Sequence, residues 1–254
     1  GLLIGLLAGT MGGLLAGLAG LGGGLVYVPV FYATMPGDQQ GMSLHILGSM
    51  VAIIATGFFS TRSHWRLGHI HRPSFRQLTP GLVLGAGLGL WLTLRVPEVL
   101  VLSGLALIDG WIAFDYGRDV RTRGNSPSLV LCSGPVGYIS GTLGIGGGTM
   151  LVPLLRRSLS LREAVGTSAL CGLVMAAAAV FMNITLEPAW RALIGEHILF
   201  LGGTWLGILL ILPLATGWSA RLHARLPEAT MRLTLKILFA CLSAAFALAA
   251  VNRI

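Results

Sequence analysis

Gly17-Leu-Ala-Gly20-Leu-Gly22-Gly23-Gly24-Leu-Val-Tyr-Val-Pro29 returns 124 residues later as Gly141-Thr-Leu-Gly144-Ile-Gly146-Gly147-Gly148-Thr-Met-Leu-Val-Pro153, with identical internal spacing. Both copies stand in apolar surroundings. Glycine and proline interrupting apolar segments at matching places of two halves point to a binding site between the repeats of a membrane transporter. Three consecutive glycines exceed what close helix packing requires, so Gly22–Gly24 and Gly146–Gly148 are read as breaks in a helix. Gly5, Gly9, Gly13, Gly85 and Gly89, spaced at four, are read as packing positions between helices.

The rest of the chain has the composition such a protein needs. Of 254 residues 54% are hydrophobic and 10% charged, with a mean hydropathy of +0.82. A soluble domain carries roughly 25% charged residues. Uncharged runs at Gly1–Gly37, Gln77–Leu94, Asn125–Leu155, Ala164–Leu186, Ile198–Ala220 and Ile237–Asn252 reach or approach the roughly 20 residues that cross a bilayer core. The expected fold is an all-α polytopic membrane protein. The pI of about 10.4 does not indicate nucleic acid, because the cations fall beside apolar spans. They cluster at Arg62/Arg66/Arg72/Arg76, Arg118/Arg121/Arg123, Arg156/Arg157/Arg162 and Arg221/Arg225/Arg232/Lys236, the pattern of cytoplasmic loops. Trp65, Trp190 and Trp218 fit interfacial belts. Cys132, Cys171 and Cys241 stand apart, without disulfide or metal spacing, and read as small core residues.

Charge also decides the topology. If each Gly-rich stretch is a re-entrant hairpin (1–34 and 128–155), the crossings are 43–60, 78–95, 98–116, 163–183, 198–215 and 232–251. All four basic clusters then share one face, with 118–127 as a basic cytoplasmic linker. Counting each Gly-rich stretch as a single crossing sends the 156–162 and 221–236 clusters to the opposite face, against the positive-inside rule. A hairpin plus three crossings is an odd unit, so residues 128–254 form a second repeat inverted relative to residues 1–117. Only the placement of Arg156 and Arg157 stays open, in a loop or lining an anion path.

Further echoes follow the same order. Gly41-Met-Ser43-Leu matches Gly166-Thr167-Ser168-Ala, and Arg95-Val-Pro97-Glu98 matches Arg225-Leu-Pro227-Glu228. With the doubled glycine motif, the helix starts at Ser43 and Gly166-Thr167-Ser168 and the basic stretch Arg62–Ile70, the chain resembles the sulfite exporter TauE/SafE family of permeases over nearly its whole length. It departs from that pattern at Met42, where Thr is usual, at His45, and in the short loop after Pro153. The resemblance implies export of sulfite, an organosulfonate or another small anion across a bacterial inner membrane. No cofactor and no metal are expected, and a homodimer stays open.

The residues suggest how an anion would be held. Helices starting near Leu25 and Thr149 present free N–H groups and positive dipole ends, a ready oxyanion site. The expected contacts are Gly20, Gly22, Gly23, Gly24, Gly144, Gly146, Gly147, Gly148 and Thr149, with Pro29 and Pro153 as helix-break prolines. Ser43, Thr167 and Ser168 sit near helix starts, as caps or as ligand contacts. His45 and Asp109 are the proton-coupling candidates, Asp109 as an acid nine residues inside Arg118. No phosphate-binding G-x-x-x-x-G-K-[ST] motif occurs, so transport without ATP is expected. A passive channel and, more remotely, an intramembrane serine enzyme at Ser140-Gly141 are the alternatives.

Overall fold

A computed structural model describes residues 1–19, 23–34, 42–116, 128–223 and 228–251. Among them every regular element is a helix: α1 (Leu2–Ala19), α2 (Gly24–Thr34), α3 (Ser43–Arg66), α4 (Arg72–Thr93), α5 (Glu98–Tyr116), α6 (Leu129–Leu143), α7 (Gly148–Leu155), α8 (Leu161–Leu186), α9 (Pro188–His223) and α10 (Glu228–Val251). Ser43–Arg66, Leu161–Leu186 and Pro188–Ser219 are long and apolar enough to cross a membrane. α4, α5 and α10 stand at the other expected crossings.

Most helices outrun the spans that the charge pattern gave them. α4 begins at Arg72, not near 78, because the His71 ring accepts the Ser74 N–H at 3.3 Å and Pro73 occupies the first turn, where its missing N–H costs nothing. α8 begins at Leu161 with a capping box, in which Ser160 Oγ accepts the Glu163 N–H at 3.3 Å and the Ser160 N–H donates to the Glu163 carboxylate at 3.2 Å. The stretch expected as a loop at Glu187–Glu196 is mostly helix. Glu187 alone is extended (φ −118°, ψ 105°), as a residue before proline tends to be, and α9 starts at once with Pro188. Trp190 is no interfacial residue: it is fully buried, and its indole N–H donates to Asn183 Oδ1 at 3.2 Å. Trp65 and Trp218 are exposed. Of the cysteines, Cys171 is buried and Cys241 lies on the outside.

The halves pack by exchange. The first helix of each lies along the fourth helix of the other, α1 on α9 and α6 on α4, while α3 packs on α8 and α5 on α10. Glycine makes the seams. A Cβ on Gly5, Gly9 or Gly13 would collide with Thr204, Ile208 or Ala215, and one on Gly85 or Gly89 with the Gly134 or Tyr138 carbonyl. The expected packing role of these glycines is what the structure displays. Contacts advance in the same direction along both helices of each pair, so α1 runs parallel to α9 and α6 parallel to α4.

The relative directions of α3, α4 and α8 follow from two hydrogen bonds and one tight connection. The His71 N–H donates to Thr167 Oγ1 at 2.9 Å, and Asn183 Nδ2 donates to the Gly87 carbonyl at 3.0 Å, so α8 is parallel to α4. The tight connection at 67–71 makes α4 antiparallel to α3. α8 is therefore antiparallel to α3, its counterpart in the first half. The 62–76 and 156–162 basic stretches consequently share one end of the bundle. At the other end Arg95 and Glu187 form an ion pair at 3.5 Å.

Candidate functional site

Both glycine stretches interrupt helices. Gly23 (φ +75°), Gly144 (φ +67°) and Gly146 (φ +72°) adopt left-handed backbone, which a side chain would disfavour. Gly144 closes α6 by donating its N–H to the Ser140 carbonyl at 3.0 Å. α2 then starts at Gly24 and α7 at Gly148, as expected within a residue. Gly20 and Gly22 lie outside the described residues. The prolines do not make the breaks. Pro29 and Pro153 lie inside α2 and α7, each the sixth residue of its helix. A proline there removes the hydrogen bond to the residue four before it. The Leu25 and Thr149 carbonyls, in the first turns after the breaks, thereby lose their helical donors.

The two breaks meet. A Cβ on Gly24 would stand 2.5 Å from the carbonyl carbon and oxygen of Ile145, and one on Gly144 would touch Val28 and Ile46. Both lie beside the middles of α3 and α8: Gly24 and Gly146 face Ile53, while Gly147 faces Gly172 and Met175. Ser49 of α3 donates to the Gly144 carbonyl at 2.7 Å. Gly23, Gly24 and residues 144–149 are all buried. Two helices thus begin back to back inside the bundle, presenting first-turn N–H groups that no preceding turn can satisfy.

One side of this centre is polar. The Thr56 hydroxyl donates to the Ala52 carbonyl at 2.7 Å. Its single proton is thereby spent, so the buried Tyr27 hydroxyl donates to Thr56 Oγ1, 2.6 Å away. At the offset relating the glycine motifs Tyr27 corresponds to Leu151. At the offset relating Ser43 to Ser168, Ser49 and Thr56 correspond to Val174 and Phe181. Nothing in the sequence singled out Ser49, Thr56 or Tyr27. A tyrosine three residues after the glycine triplet, absent from the second copy, was the available signal.

The other expected residues are spread along the bundle. Thr149 donates to the Gly146 carbonyl at 3.3 Å and belongs to the centre. Ser43 does not cap α3; its hydroxyl donates to the Thr93 carbonyl at the end of α4, 2.9 Å away. Thr167 and Ser168 are no helix starts either, since α8 begins six residues before Thr167. Thr167 accepts the His71 N–H, and Ser168 donates to Val165 O at 3.2 Å. His45 sits in the first turn of α3 with its ring edge-on to Tyr32, centroids 5.7 Å apart. Arg156 and Arg157 occupy the turn after α7, Arg157 exposed.

Asp109 lies on the buried face of α5, shared with Leu102, Leu105 and Ile112, and is 0% exposed. Neither carboxylate oxygen has a hydrogen-bond partner among the described residues. α10 crosses beside it, where Ser243 Oγ donates to the Ala106 carbonyl at 2.7 Å. Ser140 is also buried, its hydroxyl without a hydrogen-bond partner among the described residues.

The family model for the sulfite exporter TauE/SafE matches residues 5–249. A protein of Haemophilus influenzae named "Probable membrane transporter protein" is 32% identical over 195 residues, 72% of this chain and 74% of that one. No solved structure matches the chain.

Proposed function

This chain belongs to the sulfite exporter TauE/SafE family, and on that premise we propose that this multi-pass membrane transporter moves a small oxyanion, such as sulfite or an organosulfonate, outward across a bacterial inner membrane. The anion binds where the two helix breaks touch. The approach of Gly24 to Ile145 carries this reading, because it puts the N-terminal turns of α2 and α7 in one buried place. Backbone N–H groups and helix dipoles then stabilise the charge without a buried cation. The carbonyls of Leu25 and Thr149, freed by Pro29 and Pro153, offer acceptors for a protonated form such as bisulfite.

The opposed directions of α3 and α8 support an inverted repeat, and rocking of such repeats about a fixed site gives alternating access. That arrangement favours a carrier over a passive channel. Saturable flux and counterflow in proteoliposomes test the distinction. Asp109, a buried acid without a hydrogen-bond partner among the described residues, is the residue proposed to couple proton movement; His45 beside Tyr32 is the second candidate.

The binding claim is tested by sulfite-dependent thermal stabilisation of purified protein. Gly24→Ala, which forces the breaks apart, is expected to abolish it together with sulfite flux. Full stabilisation and flux in that variant would place the anion elsewhere.

A further inference from the structure

Along the outer face of α4 runs an open groove of about 490 Å³, lined by Phe75, Arg76, Thr79, Pro80, Val83 and Leu84. Leu84 is 62% exposed, and Arg76 is exposed at the end nearest the basic connection between α3 and α4. Arg72 stands one turn beyond, its guanidinium 5.2 Å above the ring of Trp65. Neither arginine has an ion-pair partner among the described residues, and no acid occurs in the sequence between Asp38 and Glu98. Pro80 removes the helical hydrogen bond to the Arg76 carbonyl. Among the described residues the groove therefore ends in two guanidinium groups outside any ion pair and a carbonyl lacking its helical donor.

The opposite end of α4 provides the contrast. A second groove, about 270 Å³, is lined there by Gly87, Leu88, Trp91, Met182, Asn183 and Leu186. Arg95 lies at its rim, 3.9 Å over the Trp91 ring, but its charge is met by Glu187 at 3.5 Å. An apolar trough beside a tryptophan and an arginine occurs at both ends; among the described residues, the arginines at the end with the basic clusters have no ion pair.

We propose that the Arg76 groove binds one anionic phospholipid of the cytoplasmic leaflet, its phosphate held by Arg72 and Arg76 and an acyl chain laid over Thr79, Pro80, Val83 and Leu84. Guanidinium forks match phosphate oxygens, and the cytoplasmic leaflet is the anionic one. A phosphatidylglycerol headgroup, with hydroxyl donors beside its phosphate, also suits the Arg76 carbonyl. The site is independent of what the transporter carries.

Native mass spectrometry of the full chain in neutral detergent, titrated with phosphatidylglycerol or phosphatidylcholine, tests it. One phosphatidylglycerol is expected to bind in preference to phosphatidylcholine. Arg76→Ala should weaken it about fivefold, and Arg72→Ala with Arg76→Ala about 25-fold. Val83→Trp, which keeps both charges but fills the groove, should remove the bound lipid, while Arg95→Ala should leave affinity unchanged. The Tm of each variant without lipid separates lost binding from lost fold. Equal binding of phosphatidylcholine, or undiminished binding in the double-arginine variant, overturns the site. So does a Val83→Trp protein that falls from dimer to monomer without lipid, since that outcome assigns the face to a second copy of the chain.

Discussion

Glycine has two separable tasks in this protein, and substitution distinguishes them. At Gly146 the backbone is left-handed (φ +72°) and an added Cβ would stand 3.2 Å from Ile53. Gly146→Ala is expected to cost about 1–2 kcal/mol from conformation alone, read as a lower Tm. Gly134 lies within α6, and nothing stands within 4 Å of an added Cβ. Gly134→Ala should be neutral or stabilise by up to about 1 kcal/mol. A comparable loss from both variants would show that left-handed backbone is not what Gly146 supplies. Asp109 poses a question of charge. If its carboxyl carries the coupled proton, Asp109→Asn should flatten the pH dependence of sulfite flux while leaving sulfite-dependent stabilisation intact. An unchanged pH profile would remove it from the pathway.

Helix ends show where the sequence was legible and where it was not. The breaks could be read because three glycines in an apolar run have few other uses, and α2 and α7 start where the motif placed them. The outer ends could not, because charge marks where the apolar solvent stops, while a helix continues until a cap ends it. Arg72–Gln77 and Pro188–His197 are helical beyond the apolar spans for that reason. The cap of α8 was hidden likewise: Ser160 and Glu163 stand in a charged stretch, and Thr167-Ser168 looked like a start only by analogy with Ser43. Ser160→Ala should cost about 1 kcal/mol, and a smaller Tm change than Gly146→Ala would be consistent with an exposed cap. The polar pair Tyr27–Thr56 needed a contact across 29 residues, which no periodicity records. Pro29 and Pro153 misled because proline is read as a breaker, yet each is held within a short buried helix.

Across the whole molecule, the doubled motif announced two halves but not their exchange of partners. The directions of α3, α4 and α8 place the connections at 67–71 and 156–160 at one end and Glu187 at the other. Single cysteines at Arg157 and Glu187, in a background lacking the native thiols, should therefore react with impermeant reagent from opposite sides of the membrane. Same-side labelling would discard the topology.

The α1–α9 seam bears on biogenesis. The Gly5, Gly9 and Gly13 face of α1 meets Thr204, Ile208 and Ala215 of α9, so α1, once made, waits for α2 to α8 to be translated before it meets its mate. Until then its notched surface is covered by lipid or by the insertion machinery. The two halves expressed from separate messages should thus reconstitute one transporter when made together, and neither should mature when made alone.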